Sequence, residues 1–246
     1  MNVQAAYKPQ KPTLIDIPIS NNGGRCRFIM RKKKLMDKID IESPKVYGGM
    51  KTDEYLALNP QGLIPALVFP DGQALWESDV IASYLNDKYS DEGASFELHS
   101  PEDRANDLLA RRMIDSYICP IQGCMYKDMD IAERADKLKR LAFQLNVLSS
   151  IIKGPYVSGN DMGLADAALF PTLTFCNVML PEVFGWKQAF TGSKLQAYWD
   201  FMQADADASQ VIKEIEGGLT GWKESGRFEQ KGIIEQVANK DYQWAY

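Results

Sequence analysis

The chain has 246 residues, of which 45% are hydrophobic and 25% are charged, a composition typical of globular proteins. This length suits one large domain or two small ones, because domains usually have about 100–200 residues. A formal net charge of -5 argues against nucleic acid or an anionic membrane as the principal partner.

The single histidine, His99, excludes a metal site with two histidine ligands. It precedes Ser100 and Pro101, which read as the N-cap and first position of a helix, so we expect His99 to be exposed rather than catalytic. We expect no signal peptide, because residues 1–9 have no apolar core.

The four cysteines are sparse and have no disulfide-framework spacing, which indicates a reducing, cytoplasmic compartment. They are Cys26, Cys119, Cys124 and Cys176. Because Cys119 and Cys124 have no second pair of ligands, we expect no metal.

The first predicted region, residues 1–89, mixes short strands with helices. A strand at 13–17 leads through a turn at 21–24 into a helix at 25–35. The later elements are a strand at 38–42, a capped helix at 52–58, strands at 65–69 and 74–76, and a helix at 77–89. The order β-α-β-α-β-β-α predicts a compact α/β layer.

A polar linker at 90–100 precedes a region that reads as nearly all helix, residues 101–246, which ends in a C-terminal extension. The predicted helices span 101–126, 131–152, 163–180, 193–204 and 209–216. The stretch 164–180 is apolar, but its polar residues and short length favour a core helix over a membrane span. Together these helices predict a bundle.

The loop at 59–67 reads Asn-Pro-Gln-Gly-Leu-Ile-Pro-Ala-Leu. Pro65 stands where a strand begins, and its bond to Ile64 is a candidate cis peptide. The N–H and C=O of Ile64 could then pair with an extended peptide. The alternative is an ordinary turn into a strand.

Glu77 and Ser78 stand where the last strand passes into a helix. Free N–H groups at a helix N-terminus bind anions, and the carboxylate of Glu77 or Asp79 could meet an ammonium group. The pattern suits an amino-acid head group, although it is also a plain capping sequence.

Ser20-Asn21-Asn22-Gly23-Gly24-Arg25 places a serine five residues before an arginine. With the two segments above, this motif resembles the serine-type classes of the cytosolic glutathione transferase family, such as phi, tau and zeta. The resemblance implies an α/β plus all-α fold, with an N-terminal thioredoxin-like domain followed by a helical bundle. It also implies a homodimer that conjugates glutathione, its co-substrate, to small hydrophobic electrophiles in detoxification.

The resemblance also implies the residues around the glutathione sulfur. Ser20 would face the sulfur, and Asn21 or Asn22 would assist or replace it. Arg25 would either add positive potential or serve as a structural ion-pair partner. Some relatives use a cysteine nucleophile near the position of Ser20, but Cys26 lies six residues later and is expected in the core. This favours conjugation or isomerisation over dehydroascorbate reduction.

The remaining contacts implied by the resemblance hold the rest of the tripeptide. Ile64, before Pro65, would pair with the cysteine moiety, and Glu77 and Ser78 would hold the γ-glutamyl end. Lys51 would contact the glycine carboxylate.

The sequence departs from the family pattern at three positions. Leu63 replaces a Lys or Gln that contacts glutathione, and Met50 replaces a histidine of the phi pattern. Gly163 replaces the Ser or Thr that caps the helix of the buried Asp166, and glycine is a weaker cap by a few tenths of a kcal/mol.

The electrophile would bind between the domains, beside apolar residues of the second one that could equally be core. The candidates are Met113, Tyr117, Met125 and Phe175. Two alternatives to conjugation remain: a glutathione-fold binding or assembly module, suggested by Leu63 and the tail 231–246, and a glutathione-dependent isomerase or peroxidase. A chance match of motifs on an unrelated α/β-plus-helical protein is a third.

Overall fold

A computed structural model describes residues 7–190 and 193–246. The chain divides into two compact units between Ser95 and Phe96. The expectation about a signal peptide concerns residues 1–9, of which 1–6 lie outside the described residues.

The first unit contains a four-stranded sheet with the order β2-β1-β3-β4. Its strands are β1 (Thr13–Ile15), β2 (Asp40–Glu42), β3 (Ala66–Val68) and β4 (Ala74–Trp76). β1 pairs parallel to β2 and antiparallel to β3, and β3 pairs antiparallel to β4. The central strands β1 and β3 are fully buried, whereas the edge strands are partly exposed, so the core lies along the middle of the sheet.

Three α-helices and a 3₁₀ turn surround this sheet. They are α1 (Asn21–Lys32), the 3₁₀ turn Pro44–Tyr47, α2 (Asp53–Leu58) and α3 (Ser78–Lys88). The predicted turn at 21–24 is wrong, because these residues form the first turn of α1. Ser20 is the N-cap of this helix, and its side chain accepts a hydrogen bond from the Gly23 N–H.

The second unit is helical. Its α-helices are α4 (Pro101–Met113), α5 (Cys119–Gln122), α6 (Ile131–Ile151), α7 (Leu164–Phe184), α8 (Lys194–Gln203), α9 (Ala206–Glu224), α10 (Arg227–Gln230) and α11 (Ile233–Ala238). α7 is the central helix and packs against α4 and α9. The predicted architecture, a thioredoxin-like unit followed by a helical bundle, is confirmed.

The predicted helix at 101–126 is helical from residue 101 to residue 125, but it is not one regular α-helix. A π-helical turn at Ile114–Ile118 follows α4, and α5 begins with Pro120 in its first turn. A proline lacks the N–H that would continue the preceding α-helical hydrogen bonds, which accounts for the irregular helical geometry before it. As expected, Ser100 caps α4 and His99 is exposed.

Among the described residues, α7 alone is long and apolar enough to cross a membrane, since it runs to Phe184 rather than to the predicted end at Leu180. However, 72% of its most apolar window is buried inside the protein. It therefore packs as the core helix of its unit, as predicted.

The N-terminus of α7 is closed by two buried carboxylates. Asp166 accepts from the backbone N–H of Val157 at 2.9 Å and of Gly163 at 2.8 Å. Asp107, from α4, accepts from the N–H of Ala165 at 2.7 Å. A Cβ on Gly163 would lie 2.2 Å from Asp107 Oδ1, so the carboxylate of α4 occupies the space of the usual Ser or Thr side chain.

The C-terminal extension, unexplained by the sequence, is bound to the helical unit. The buried Arg134 of α6 donates to Gln236 of α11 at 2.6 Å. The indole N–H of Trp186 donates to the backbone carbonyl of Trp244 at 2.7 Å.

Candidate functional site

Ser20 presents its hydroxyl at the N-terminus of α1. Its Oγ accepts from the Gly23 N–H at 3.0 Å, and its carbonyl accepts from the Gly24 N–H at 2.8 Å. The side chain is half-buried. Because the oxygen serves as the acceptor of the cap, the O–H can donate to an anion in front of the helix.

The sheet register brings three chain segments to one edge of the first unit. Ile15, at the end of β1, pairs with Ala66, at the start of β3, and Ala66 pairs with Trp76, at the end of β4. The loop to Ser20 leaves from this edge, the Ile64–Pro65 bond enters β3 there, and Glu77 follows β4 there. The topology therefore brings the three chain segments that carry Ser20, Ile64 and Glu77 to the same end of strands β1, β3 and β4.

Two further contacts connect α1 with the start of α3. Arg25 is almost fully buried and forms an ion pair with Asp79 at 3.4 Å. The sequence left two roles open for Arg25, positive potential near the sulfur and a structural ion pair, and the structure shows the ion pair. The thiol of Cys26 lies 3.7 Å from the carbonyl of Ser78 and donates to it.

Cys26 is a core residue, as predicted. Its side chain has no exposed surface, and burial raises the pKa of its thiol far above the usual value. A thiol held in the neutral form is a poor nucleophile.

The Ile64–Pro65 peptide is cis, as the sequence suggested. Two side chains that sequence reasoning missed hold the preceding loop. The Tyr55 hydroxyl and the Asn59 side-chain amide both donate to the carbonyl of Leu63, at 2.6 and 2.8 Å. Burial raises the pKa of Tyr55 to about 12, so its hydroxyl remains a donor. The sequence signal for this contact is the spacing Tyr-x-x-x-Asn, which places Tyr55 in the last turn of α2 and Asn59 at its C-cap.

Leu63 itself is 58% exposed, so the departure from Lys or Gln places an apolar side chain at the surface. Lys51 is also exposed, and its ammonium group lies 3.4 Å from the Gln61 carbonyl of the same loop. Met50 packs at the edge of the core cluster around Tyr47 and Tyr55.

Glu77 is the N-cap residue of α3 and has a left-handed backbone, with φ of 69°. This conformation is unfavourable for a residue with a Cβ, and it concentrates at functional sites. The side chain of Glu77 is exposed and makes no capping bond, whereas Ser78 beside it is buried.

Asn22 lies half-buried in the same first turn of α1 that Ser20 caps. Of the predicted electrophile-pocket residues, Tyr117 is 55% exposed, whereas Met113, Met125 and Phe175 are buried in the core of the helical unit. No cluster of three or more potential metal ligands occurs among the described residues.

Comparisons with known proteins match both units. Residues 19–88 match the family model described as glutathione S-transferase, N-terminal domain. The chain is 30% identical over 169 residues to a Zea mays protein, probable glutathione S-transferase BZ2, covering 58% of this chain and 72% of the relative. The chain belongs to the glutathione S-transferase family.

Other members of the glutathione S-transferase family match over a greater length. The Oryza sativa protein called probable glutathione S-transferase DHAR1, cytosolic, is 26% identical over 215 residues, which are 85% of this chain and 90% of the relative. The crystal structure of glutathione transferase Omega 3C from Trametes versicolor has the same fold. Its TM-score is 0.68 at 22% identity, with 84% of this chain and 90% of that chain covered.

Proposed function

We propose that this glutathione S-transferase conjugates the thiol of glutathione to small hydrophobic electrophiles in the cytoplasm. The observation that supports the proposal is the sheet register, in which the segments that carry Ser20, Ile64 and Glu77 adjoin β1, β3 and β4 at the same end of the three strands. The first unit, residues 1–89 of the predicted organisation, is then the glutathione-binding domain. Residues 101–246 form the helical domain, joined to it by the linker 90–100.

Each part of the tripeptide has a partner at this edge. The backbone of Ile64, before Pro65, pairs with the cysteine moiety by strand addition. Glu77 and Ser78, at the start of α3, hold the γ-glutamyl end, whose carboxylate faces the free N–H groups of a helix N-terminus. The Lys51 ammonium meets the glycine carboxylate.

The Ser20 hydroxyl activates the thiol. Only the thiolate is a good nucleophile, and a free thiol has a pKa of about 8.5. A hydrogen bond to a charged acceptor contributes about 1.5–3 kcal/mol, which lowers the pKa by about one to two units. The dipole of the twelve-residue α1 favours the anion at the same place, and Asn22 adds a further amide donor.

No general base is needed in this scheme. The thiol proton leaves to solvent, and the thiolate attacks the electrophilic carbon to form a carbon–sulfur bond. In an aryl halide the carbon–halogen bond breaks and halide leaves with its electron pair. In an activated alkene the π pair moves to the neighbouring atom, which takes a proton from water. The exposed Leu63 and the partly buried Met50 supply no polar contact, so we expect a weaker affinity for glutathione than a Lys or Gln at position 63 would give.

DHAR-type reductase activity is the second candidate, because two relatives carry the name DHAR. A reduction that uses a protein thiol near Ser20 would require a reactive cysteine there. Cys26 does not supply one, since it is buried with a raised pKa. The serine route therefore has the stronger support.

We also propose a homodimer. Both units expose large apolar side chains: Leu63, Trp76 and Val80 in the first, and Leu108, Leu109 and Tyr117 in the second. Sedimentation equilibrium should give about twice the 27.7 kDa chain mass, and a purely monomeric profile would refute the dimer.

Retention on immobilised glutathione and turnover of a generic aryl electrophile test the function. The wild-type chain should do both, and Ser20→Ala should be retained but conjugate about 10–100-fold more slowly below the wild-type thiol pKa. Retention without turnover would favour the binding-module alternative, and loss of both would remove the proposal.

A further inference from the structure

A buried arginine–aspartate pair lies beneath the loop that carries Ser20. Arg27, in the second turn of α1, is 3% exposed, and Asp16, directly after β1, is 2% exposed. The two side chains form an ion pair. Neither residue has a part in the thiol chemistry proposed above.

The guanidinium of Arg27 also binds the loop backbone at successive positions. Its Nη1 donates to the Ile17 carbonyl at 3.1 Å, and its Nη2 donates to the Pro18 carbonyl at 2.7 Å. Nη2 also lies 3.4 Å from the carbonyl of Ser20. Because the guanidinium fork is planar and rigid, these contacts fix the loop relative to α1.

Asp16 completes this arrangement from the other side. A Cβ on Gly23 would lie 1.9 Å from Asp16 Oδ1, so the carboxylate packs directly against the first turn of α1. The N–H of Gly23 is the group that donates to Ser20 Oγ, the N-cap of the helix. The ion pair, the glycine and the serine hydroxyl therefore form one continuous packed unit.

We propose that Arg27 is a positioning residue, which holds residues 16–20 against α1 and thereby aims the Ser20 hydroxyl at the ligand sulfur. The inference rests on the proposed function for its effect on chemistry, and on the contacts above for its effect on Ser20. Arg27 acts through Ser20 and needs no contact with glutathione.

The chemistry of the pair explains why an arginine is required. A lysine has one nitrogen and cannot donate to Asp16 and to separate loop carbonyls from fixed directions. Burying two charges is costly, and a pair without one partner leaves an uncompensated buried charge. A site that needs only packing would be served as well by apolar side chains of similar volume.

The test compares Arg27→Met, Arg27→Lys and the charge-neutral Asp16→Asn/Arg27→Met variant, which avoids the lone buried carboxylate. Lys32→Met is the matched control, because it removes a basic side chain from the last turn of the same helix. The readouts are the pH midpoint of thiolate formation in bound glutathione, KM for glutathione, and hydrogen exchange of the Gly23 amide.

We expect the midpoint to rise by about one pH unit in the three Arg27 variants, with roughly tenfold lower kcat/KM below it. KM for glutathione should change less than about threefold, because other residues hold the tripeptide. Adding Arg27→Met to Ser20→Ala should shift the midpoint no further. The Gly23 amide should exchange faster in all three variants and stay protected in the control.

If the Asp16→Asn/Arg27→Met variant has the same thiolate midpoint and the same Gly23 amide protection as wild type, the inference is overturned. If wild-type protein leaves the glutathione pKa unaltered, the proposed function fails. Hydrogen exchange of the Gly23 amide then decides the positioning role by itself. Faster exchange in the Arg27 variants than in wild type supports the role, and equal exchange refutes it.

Discussion

The N-termini of α1 and α7 share a close contact between an aspartate and a glycine, but they differ in the group that caps the helix. In each, an aspartate from another segment presses against a glycine of the helix start. A Cβ would lie 1.9 Å from Asp16 at Gly23 and 2.2 Å from Asp107 at Gly163. Both glycines are therefore required by a close approach.

The difference lies in which group caps the helix. At α1 the cap is the hydroxyl of Ser20, which accepts from Gly23 and still carries a proton. At α7 the cap position has no side chain, and the carboxylates of Asp107 and Asp166 bind the backbone N–H groups instead. Carboxylates close the N-terminus of α7, whereas a half-buried hydroxyl leaves that of α1 able to act on an anion.

The largest expected effect is on stability, at the N-terminus of α7. Asp166→Ala should lower the free energy of unfolding by about 4 kcal/mol, because it leaves two buried N–H groups without partners at about 1–3 kcal/mol each. Urea denaturation measures this loss. Asp161→Ala, on an exposed side chain nearby, should stay within about 0.5 kcal/mol of wild type, and equal losses in both would contradict the account.

Gly163→Ser should destabilise the protein by about 2 kcal/mol, because the added Cβ overpacks against Asp107. Capping preference alone predicts the opposite sign, since serine is the better N-cap. In an Asp107→Ala background the same substitution should become neutral or stabilising. A stabilising effect in the wild-type background would show that Asp107 does not occupy the cap position.

The protonation of Asp166 gives the closed N-terminus a pH dependence. Burial raises the pKa of Asp166 to about 7, above the value of 3.8 for an unperturbed aspartate. The folded state therefore holds a proton that the unfolded chain has released, and stability falls as pH rises from about 4 to about 7. Relative to Asp166→Asn, wild type should lose about 1 kcal/mol per pH unit in this window. If the difference in unfolding free energy between wild type and Asp166→Asn stays constant across this pH window, the account is refuted.

The smallest expected effect is on stability, at the N-terminus of α1. Ser20→Ala should cost about 1 kcal/mol through the lost cap. Ser100→Ala is the matched control, because Ser100 Oγ accepts from the Asp103 N–H with the same 3.0 Å geometry. The two variants should lose similar stability, but Ser20→Ala alone should lower conjugation. If Ser100→Ala also lowers conjugation, the loss of a helix cap and its stability, rather than the loss of the Ser20 hydroxyl donor, explains the lower activity.

Local signals were sufficient for most of the fold and for part of the site. The cap Thr52, the apolar strand before Phe69 and the proline of a cis bond at position 65 are all readable from short segments. The first turn of α1 was missed because Gly23 and Gly24 have low helix propensity. The reason for Gly23 is Asp16, which the sequence alone does not place against it.

Contacts between distant residues could not be predicted. Asp107 caps a helix that begins 57 residues later, at Leu164, and Gln236 of the tail meets Arg134 across 102 residues. The short helices α10 and α11 were missed because their stability depends on this packing rather than on local periodicity.

The pKa of the glutathione thiol in the bound state tests the central claim most directly. Ultraviolet titration of the thiolate should give a value about one to two units below the free pKa of about 8.5 for wild type. Ser20→Ala should bring it back toward the free value, whereas Ser100→Ala should not. An equal bound pKa in wild type and Ser20→Ala would contradict the role of the Ser20 hydroxyl.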